Sequence, residues 1–217
     1  MEIKWLGHSA FLLKGSKKIL IDPFLTDNPA AKYDPEDIEN IDYIAITHDH
    51  QDHYGDVEKI AKNSKAKVIT IFELSLALQS KEIDSVGMNI GGTITLEGVS
   101  FSMVQAIHSS NKGVPTGFII AMDGKSVYHT GDTGIFGSMS LIGELYKPNM
   151  MLLPIDGLFN MSPRAAAKAV ELVKPKIAIP MHYNTWEPIK KDPEEFKKYA
   201  RNYAEIIIIQ PGESIRI

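Results

Sequence analysis

Short apolar segments separated by turn residues open the chain. Residues 3–6, 10–13 and 19–21 read as strands, with Gly15-Ser16 as a hairpin turn between the last two. Asp22-Pro23 ends the third, because proline cannot continue a ladder. The polar stretch to about Asn40 predicts a loop with a turn of helix. Residues 43–46 are apolar at every position, the pattern of a strand buried on both faces. They run straight into Thr47-His48-Asp49-His50-Gln51-Asp52-His53. Val57, Ile60 and Ala61 fall on one face of a helix over 56–62. A strand over 67–71 and a helix over 74–80 follow. Residues 93–96 and 99–107 predict paired strands around Glu97-Gly98. Residues 117–122 and 126–129 predict a second hairpin around Asp123-Gly124, a strong turn dipeptide.

From about residue 138 the rhythm changes to alternating helix and strand: helix over 140–146, strand over 150–153, then a helix capped by Ser162 with Pro163 in its first turn. Residues 177–180 form the next strand. Asp192-Pro193-Glu194-Glu195 reads as the capping-box start of a helix through Asn202. Residues 206–209 and a tail from Ser214 close the chain as strands. No repeat, linker or low-complexity segment is visible. A hairpin-rich portion and a helix–strand portion of similar size predict an α/β fold with two sheets in contact and helices outside, in one domain over 1–217.

Composition narrows the chemistry. The 217 residues carry 23 Lys+Arg against 27 Asp+Glu, a formal charge of −4, which argues against an extensive nucleic-acid-binding surface. There is no cysteine, so disulfides, iron–sulfur clusters, thiolate-bound zinc and cysteine nucleophiles are excluded. Any metal site must use His, Asp and Glu. The N-terminus lacks the pattern of a signal peptide and no apolar run reaches the ~20 residues that span a bilayer. A cytoplasmic protein without membrane association is expected, and homo-oligomerisation is compatible with the sequence.

The segment from His48 to His53 holds four metal-capable side chains, His48, His50, Asp52 and His53, at the end of a buried strand. If the chain leaves the strand extended, His48 and His50 point the same way and can share one ion. A turn then lets Asp52 and His53 face a second. His108, Asp132 and His182 each follow a predicted strand, completing five histidines and two aspartates. That donor set suits two divalent ions with three or four protein ligands each. His8 sits in a Gly-His-Ser turn after the first strand and is expected to reach the pocket as a donor to substrate. Asp22 is a candidate to orient a ligand imidazole. Ser109, Tyr183 and Asn184 lie beside ligands and are candidate substrate contacts. His129 reads as a buried, hydrogen-bonded histidine.

The order His-x-His-x-Asp-His, a lone His, Gly-Asp-Thr and a late His resembles the metallo-β-lactamase superfamily over the whole chain. It is similar in particular to the small metal-dependent hydrolases near the L-ascorbate-6-phosphate lactonases. The supporting stretches are Trp5-Leu6-Gly7-His8-Ser9, Asp22-Pro23-Phe24, His108-Ser109-Ser110, Tyr128-His129-Thr130-Gly131-Asp132-Thr133, Leu153-Pro154-Ile155 and His182-Tyr183-Asn184-Thr185. The resemblance implies a four-layer αββα sandwich with the metals at one edge. It implies His48, His50 and His108 around a first ion, Asp52, His53 and His182 around a second, and Asp132 between them. Asp156 and Asn160 depart from the family stretch, where glycine and threonine usually stand. The family's oxygen-reducing diiron members resemble a pattern with glutamate at the position of His50, and its commonest zinc β-lactamases one with cysteine at Asp132. Neither fits here.

The expectation is therefore a hydrolase that uses a hydroxide bridged by two divalent ions. Zinc is favoured, and manganese, iron or nickel suit the same donors. Asp52 is the expected proton acceptor. Two ions bring four positive charges against two from Asp52 and Asp132, so the pocket should suit a small anionic ester or lactone. The alternatives are a phosphodiesterase acting on nucleotides or short RNA, and a metal-binding scaffold without turnover.

Overall fold

The computed structural model describes residues 1–217. The first sheet is built from β1 (Glu2–Gly7), β2 (Ala10–Lys14), β3 (Lys18–Ile21) and β4 (Tyr43–Ala45). It continues through α1 (Gln51–Tyr54), α2 (Val57–Ser64), β5 (Lys67–Ile71), α3 (Phe72–Gln79) and β6 (Ser85–Met88). The second sheet takes β7 (Thr93–Leu96), β8 (Val99–Gln105), β9 (Thr116–Met122) and β10 (Lys125–His129). The chain then alternates α4 (Met139–Tyr146), β11 (Met150–Pro154), α5 (Pro163–Val173), β12 (Ile177–Met181), α6 (Pro193–Ala200) and β13 (Glu205–Ile206). Finally β14 (Ser214–Arg216) returns to pair with β1.

Each sheet has seven strands, ordered β14-β1-β2-β3-β4-β5-β6 and β13-β12-β11-β10-β9-β8-β7. Each is antiparallel over its hairpin strands and parallel over its helix-linked strands. The hairpin-rich and helix–strand portions seen along the chain thus recur inside both sheets, an internal likeness that the sequence does not display. The sheets face each other across one cluster of 60 buried apolar residues. Tyr43 of one meets Phe101 of the other at 5.5 Å between ring centroids. Two stacked sheets with helices outside form the αββα sandwich of the metallo-β-lactamase fold. No helix is long and apolar enough to cross a membrane.

Local chemistry explains most boundaries. Asp123 and Gly124 both have positive φ (55° and 71°), the backbone that a two-residue hairpin matching the strand twist demands. The Ser162 side chain accepts the Ala165 N–H at the start of α5, with Pro163 in the first turn. Some expectations are corrected. Asp192 caps α6 through the Glu194 N–H, so no capping box forms there. Residues 206–209 are not a full strand: only Glu205 and Ile206 pair with β12, because β13 is a short edge strand that the chain leaves at once. Residues 85–88 form β6, which the sequence pattern did not mark because the segment is short and Gly87 and Ser85 leave only two apolar positions in it.

Strand direction places the functional loops. β1, β3 and β4 run the same way, since β2 is antiparallel to both β1 and β3. β8, β10, β11 and β12 share a direction in the other sheet for the same reason. The segments carrying His8, Asp22, residues 47–53, His108, Asp132, Asp156 and His182 all follow the carboxyl ends of these strands.

Candidate metal centre

His48 leaves β4 with its ring fully buried. Thr47 Oγ1 donates to Asp22 Oδ2 at 2.7 Å and lies 3.0 Å from His48 Nδ1, so it accepts the Nδ1 proton. That leaves His48 Nε2 as a lone pair. It lies 3.0 Å from Nδ1 of His50, and His108 joins them within 4.8 Å. Three imidazoles converging in this way suit a cation rather than one another.

After His50 the chain turns into α1, a departure from a plain turn, and this helix carries Asp52 and His53. His53 Nδ1 donates to Asp22 Oδ2 at 2.7 Å. Its Nε2 faces Asp132 Oδ1 at 3.2 Å, without hydrogen-bond geometry. His182 repeats the arrangement: Nδ1 faces Asp156 Oδ2 at 3.1 Å, while Nε2 lies 3.1 Å from Asp132 Oδ2 and 3.7 Å from Asp52 Oδ2. Asp132 Oδ2 is also 3.6 Å from His108 Nε2, so this one carboxylate faces both groups of donors. Gly131 permits the approach. It has φ 61°, and a Cβ there would stand 2.5 Å from the Thr116 carbonyl oxygen.

The donor atoms of His8, Asp52, His53 and His182 lie within 4.8 Å of one another, as do those of His48, His50 and His108, and of His48, His53 and Asp132. His53 Nε2, His182 Nε2 and Asp132 Oδ1 are buried with no hydrogen-bond partner. Buried polar atoms are normally satisfied. These are atoms of types that hold divalent cations, so the residues fit a metal centre. Without metal, electrostatics holds the cluster together. Burial lowers the His8 imidazole to about 4 and that of His48 to about 3. Burial opposes the charge on His53 as well, but the Asp132 and Asp22 carboxylates outweigh it and raise the ring to about 10. Asp52 is raised by burial and lowered more by the nearby His182 and His8 rings, for a net shift far below the usual carboxylate range.

His8, Asp22 and His182 all have left-handed backbones, with φ of 54°, 44° and 55°. Such strain costs ~1–3 kcal/mol per residue and concentrates at functional sites. Asp22 is fully buried and hydrogen-bonded to the His53 ring. His129 is buried away from the donors: Nε2 donates to the Ser9 carbonyl at 2.9 Å and Nδ1 accepts the Gly131 N–H. The structure departs from three expectations. His8 is buried and faces Asp52 rather than open pocket, because its turn folds under His182. Tyr183 turns into the core, 5.5 Å from Trp5 between ring centroids. Asn184 is exposed but spends its Oδ1 on the Lys191 N–H. Ser109 stays at the mouth, with Oγ 3.5 Å from His50 Nε2.

Three partners escaped the sequence reading: Thr47, Thr185 and Asp156. Thr47 precedes a ligand directly and Thr185 follows one by three residues. Asp156 was visible only as a departure from the family stretch. Its Oδ1 accepts the N–H groups of Leu158, Phe159 and Asn160, at 2.8, 2.7 and 3.2 Å, so one buried carboxylate shapes this loop and supports His182. Beyond Trp186 an open cleft of about 760 Å³ runs over Leu25, Asn28 and Tyr33 and contains none of these donors.

The family model of the beta-lactamase superfamily domain matches residues 17–183. The chain is 49% identical to a UPF0173 metal-dependent hydrolase of Methanosarcina mazei, over 100% of this chain and 99% of that protein. It is 49% identical to one of Thermococcus kodakarensis, with both chains fully covered. Among solved structures, Igni18, a metallo hydrolase from Ignicoccus hospitalis, superposes with a TM-score of 0.94 at 42% identity, covering 99% of this chain and 97% of that one. An isothiocyanate hydrolase from Delia radicum gut bacteria shares the fold at a TM-score of 0.81 and 18% identity, over 100% and 99% of the two chains. Fold, donor arrangement and relatives agree, and the chain belongs to the metallo-β-lactamase superfamily, within its UPF0173 metal-dependent hydrolase family.

Proposed function

We propose that the chain is a metal-dependent hydrolase that works with two divalent ions, zinc first among them, on a small anionic ester or lactone. The observation that carries this reading is Asp132: a buried carboxylate facing His108 on one side and His53 and His182 on the other, with ligand atoms that have no protein partner. The nitrogen and oxygen donors, with no sulfur, suit zinc and also manganese, iron or nickel. His48, His50 and His108 would hold one ion, Asp52, His53 and His182 the other, with Asp132 shared. When bound, the ions supply an electrophile for the scissile group and acidify water.

The chain's own residues set the rest. Asp52 is ionised, and its side chain is 28% exposed, so it can accept a hydrogen bond from an attacking water and orient it; its depressed basicity suits this better than outright removal of the proton. Asp22, Asp52, Asp132 and Asp156 all lie in or against the centre, so two divalent ions held here would be balanced in charge, and their local field rather than a net positive pocket would favour an anionic group on the substrate. Ile107, Ile135, Leu158 and Phe159 belong to the loops that carry His108, Asp132 and Asp156 and are 49%, 38%, 59% and 61% exposed. They suit an uncharged flank on the substrate beside its anionic group. The names of the UPF0173 relatives support metal-dependent hydrolysis.

Metal-depleted protein reloaded with zinc, analysed for metal content and assayed on a panel of lactones, carboxylic esters and bis(p-nitrophenyl) phosphate, tests the proposal. The expected result is about two ions per chain and turnover of lactones or esters. One ion or fewer per chain overturns the binuclear reading. Turnover of the phosphodiester alone replaces the substrate class. Full loading with no turnover leaves a binding scaffold.

A further inference from the structure

The supports beneath the metal ligands follow a pattern, and His8 completes it. Three ligand rings have a neighbour behind them: His48 is hydrogen-bonded to Thr47 and His53 to Asp22, and His182 Nδ1 faces Asp156 Oδ2 at 3.1 Å without hydrogen-bond geometry. Asp52 has no support from Thr47, Asp22 or Asp156. It stands on the four-residue helix α1, partly exposed, and its one hydrogen bond is with His8, Nε2 to Oδ2 at 3.1 Å.

His8 differs from the other histidines of the second cluster in the same respect. The Nε2 atoms of His53 and His182 have no hydrogen-bond partner, whereas both nitrogens of His8 are engaged. Nδ1 lies 2.8 Å from Thr185 Oγ1. A carboxylate oxygen only accepts, so Nε2 carries the proton and Nδ1 accepts the Thr185 hydroxyl; the tautomer is assigned from these partners. The ring is fully buried, packed at 3.8 Å from His182, 5.1 Å from Trp186 and 5.9 Å from Phe24 between centroids. A substrate at the mouth cannot touch it.

We infer that His8 is a positioning residue, the middle of a Thr185–His8–Asp52 chain of hydrogen bonds that fixes the Asp52 carboxylate at the second metal position without itself binding the ion. The inference rests on the two-ion reading above. An outer partner of this kind is worth ~10–100-fold in metal affinity or activity. The strained backbone at His8 fits the role, because the ring must enter beneath His182 from a turn.

A double-mutant cycle tests it through metal affinity, independently of any substrate. His8→Ala, Asp52→Ala and the double variant are depleted of metal and titrated with zinc against a chromophoric chelator, with circular dichroism as the folding check. Two ions should still bind to His8→Ala, the second ~10–100-fold more weakly, and adding His8→Ala to Asp52→Ala should cause no further loss. Thr185→Val should weaken the second ion in the same direction by less. His8→Gln, whose amide can donate from near the Nε2 position, should recover part of the loss, and these two variants carry the comparison if His8→Ala does not fold. Losses that add in the double variant would make His8 a ligand and overturn the inference. So would an unchanged second affinity with a lowered melting temperature. Failure of the parent protein to take up two ions overturns the two-ion reading itself, before any variant is compared.

Discussion

Replacing Asp22 by asparagine changes one oxygen into an amide nitrogen and keeps the shape, so it isolates the charge beneath the metal centre. Asp22 is fully buried and accepts three hydrogen bonds: Oδ1 from the Thr47 N–H at 2.9 Å, and Oδ2 from Thr47 Oγ1 and His53 Nδ1, both at 2.7 Å. Asparagine has one acceptor oxygen for these three donors. If that oxygen replaces Oδ1, the amide NH₂ confronts the Thr47 hydroxyl and the His53 Nδ1 proton. His53 is then driven to the tautomer with its proton on Nε2, the nitrogen that faces Asp132 at 3.2 Å, and such a ring cannot ligate. If the oxygen replaces Oδ2, the NH₂ meets the Thr47 N–H instead.

A hydrogen bond to a charged group contributes ~1.5–3 kcal/mol. With two of the three lost or weakened, metal-free Asp22→Asn should be less stable by ~3–6 kcal/mol. For a chain of this length that corresponds to a fall in Tm of ~6–24 °C. Zinc affinity at the second position should fall ~10–100-fold while the first ion binds nearly as before. Thermal melts of the metal-free protein and chelator-competition titrations of the folded protein read the two effects separately. A variant that melts within ~2 °C of the parent and binds the second ion equally well would refute the assignment of Asp22 as the support of His53.

Two further outcomes are expected. Asp132→Ala should weaken both ions, since its carboxylate faces His108 and His182 alike, whereas His182→Ala should weaken mainly one. Stepwise zinc titrations of the two variants should differ, and identical isotherms would contradict the shared position of Asp132. The metal-free protein should also lose stability in alkali. The folded-state pKa of His53 is raised to about 10, above the unfolded value of 6.5, so its stabilising charge is fully present below pH 6.5 and lost as pH rises through 10. Bound metal displaces that proton and removes the slope, so urea midpoints at pH 7 and 9.5 should diverge for the metal-free form and not for the loaded form. A flat metal-free profile would sink the argument.

The kind of fold and a cluster of candidate donors were legible from local pattern. His48 to His53 fall within six positions after an apolar strand, so local spacing alone brings several imidazole and carboxylate groups together. The absence of cysteine confined the site to imidazole and carboxylate donors. The hairpin dipeptides and helix caps are also local chemistry, which is why Asp123-Gly124 and Ser162-Pro163 were legible. The supports were not. Thr185 reaches His8 across 177 positions, Asp22 reaches His53 across 31, and His8 reaches Asp52 across 44. No local pattern encodes such pairs. They meet because strands of like direction in two stacked sheets release their loops at one edge, and sheet order is decided by long-range pairing and burial of both faces. The tertiary structure therefore decided the direction His8 faces, the partner of Asp156 and the turning of Tyr183 into the core. Each follows from where the chain must bury an apolar ring or satisfy a polar atom once the sheets have closed.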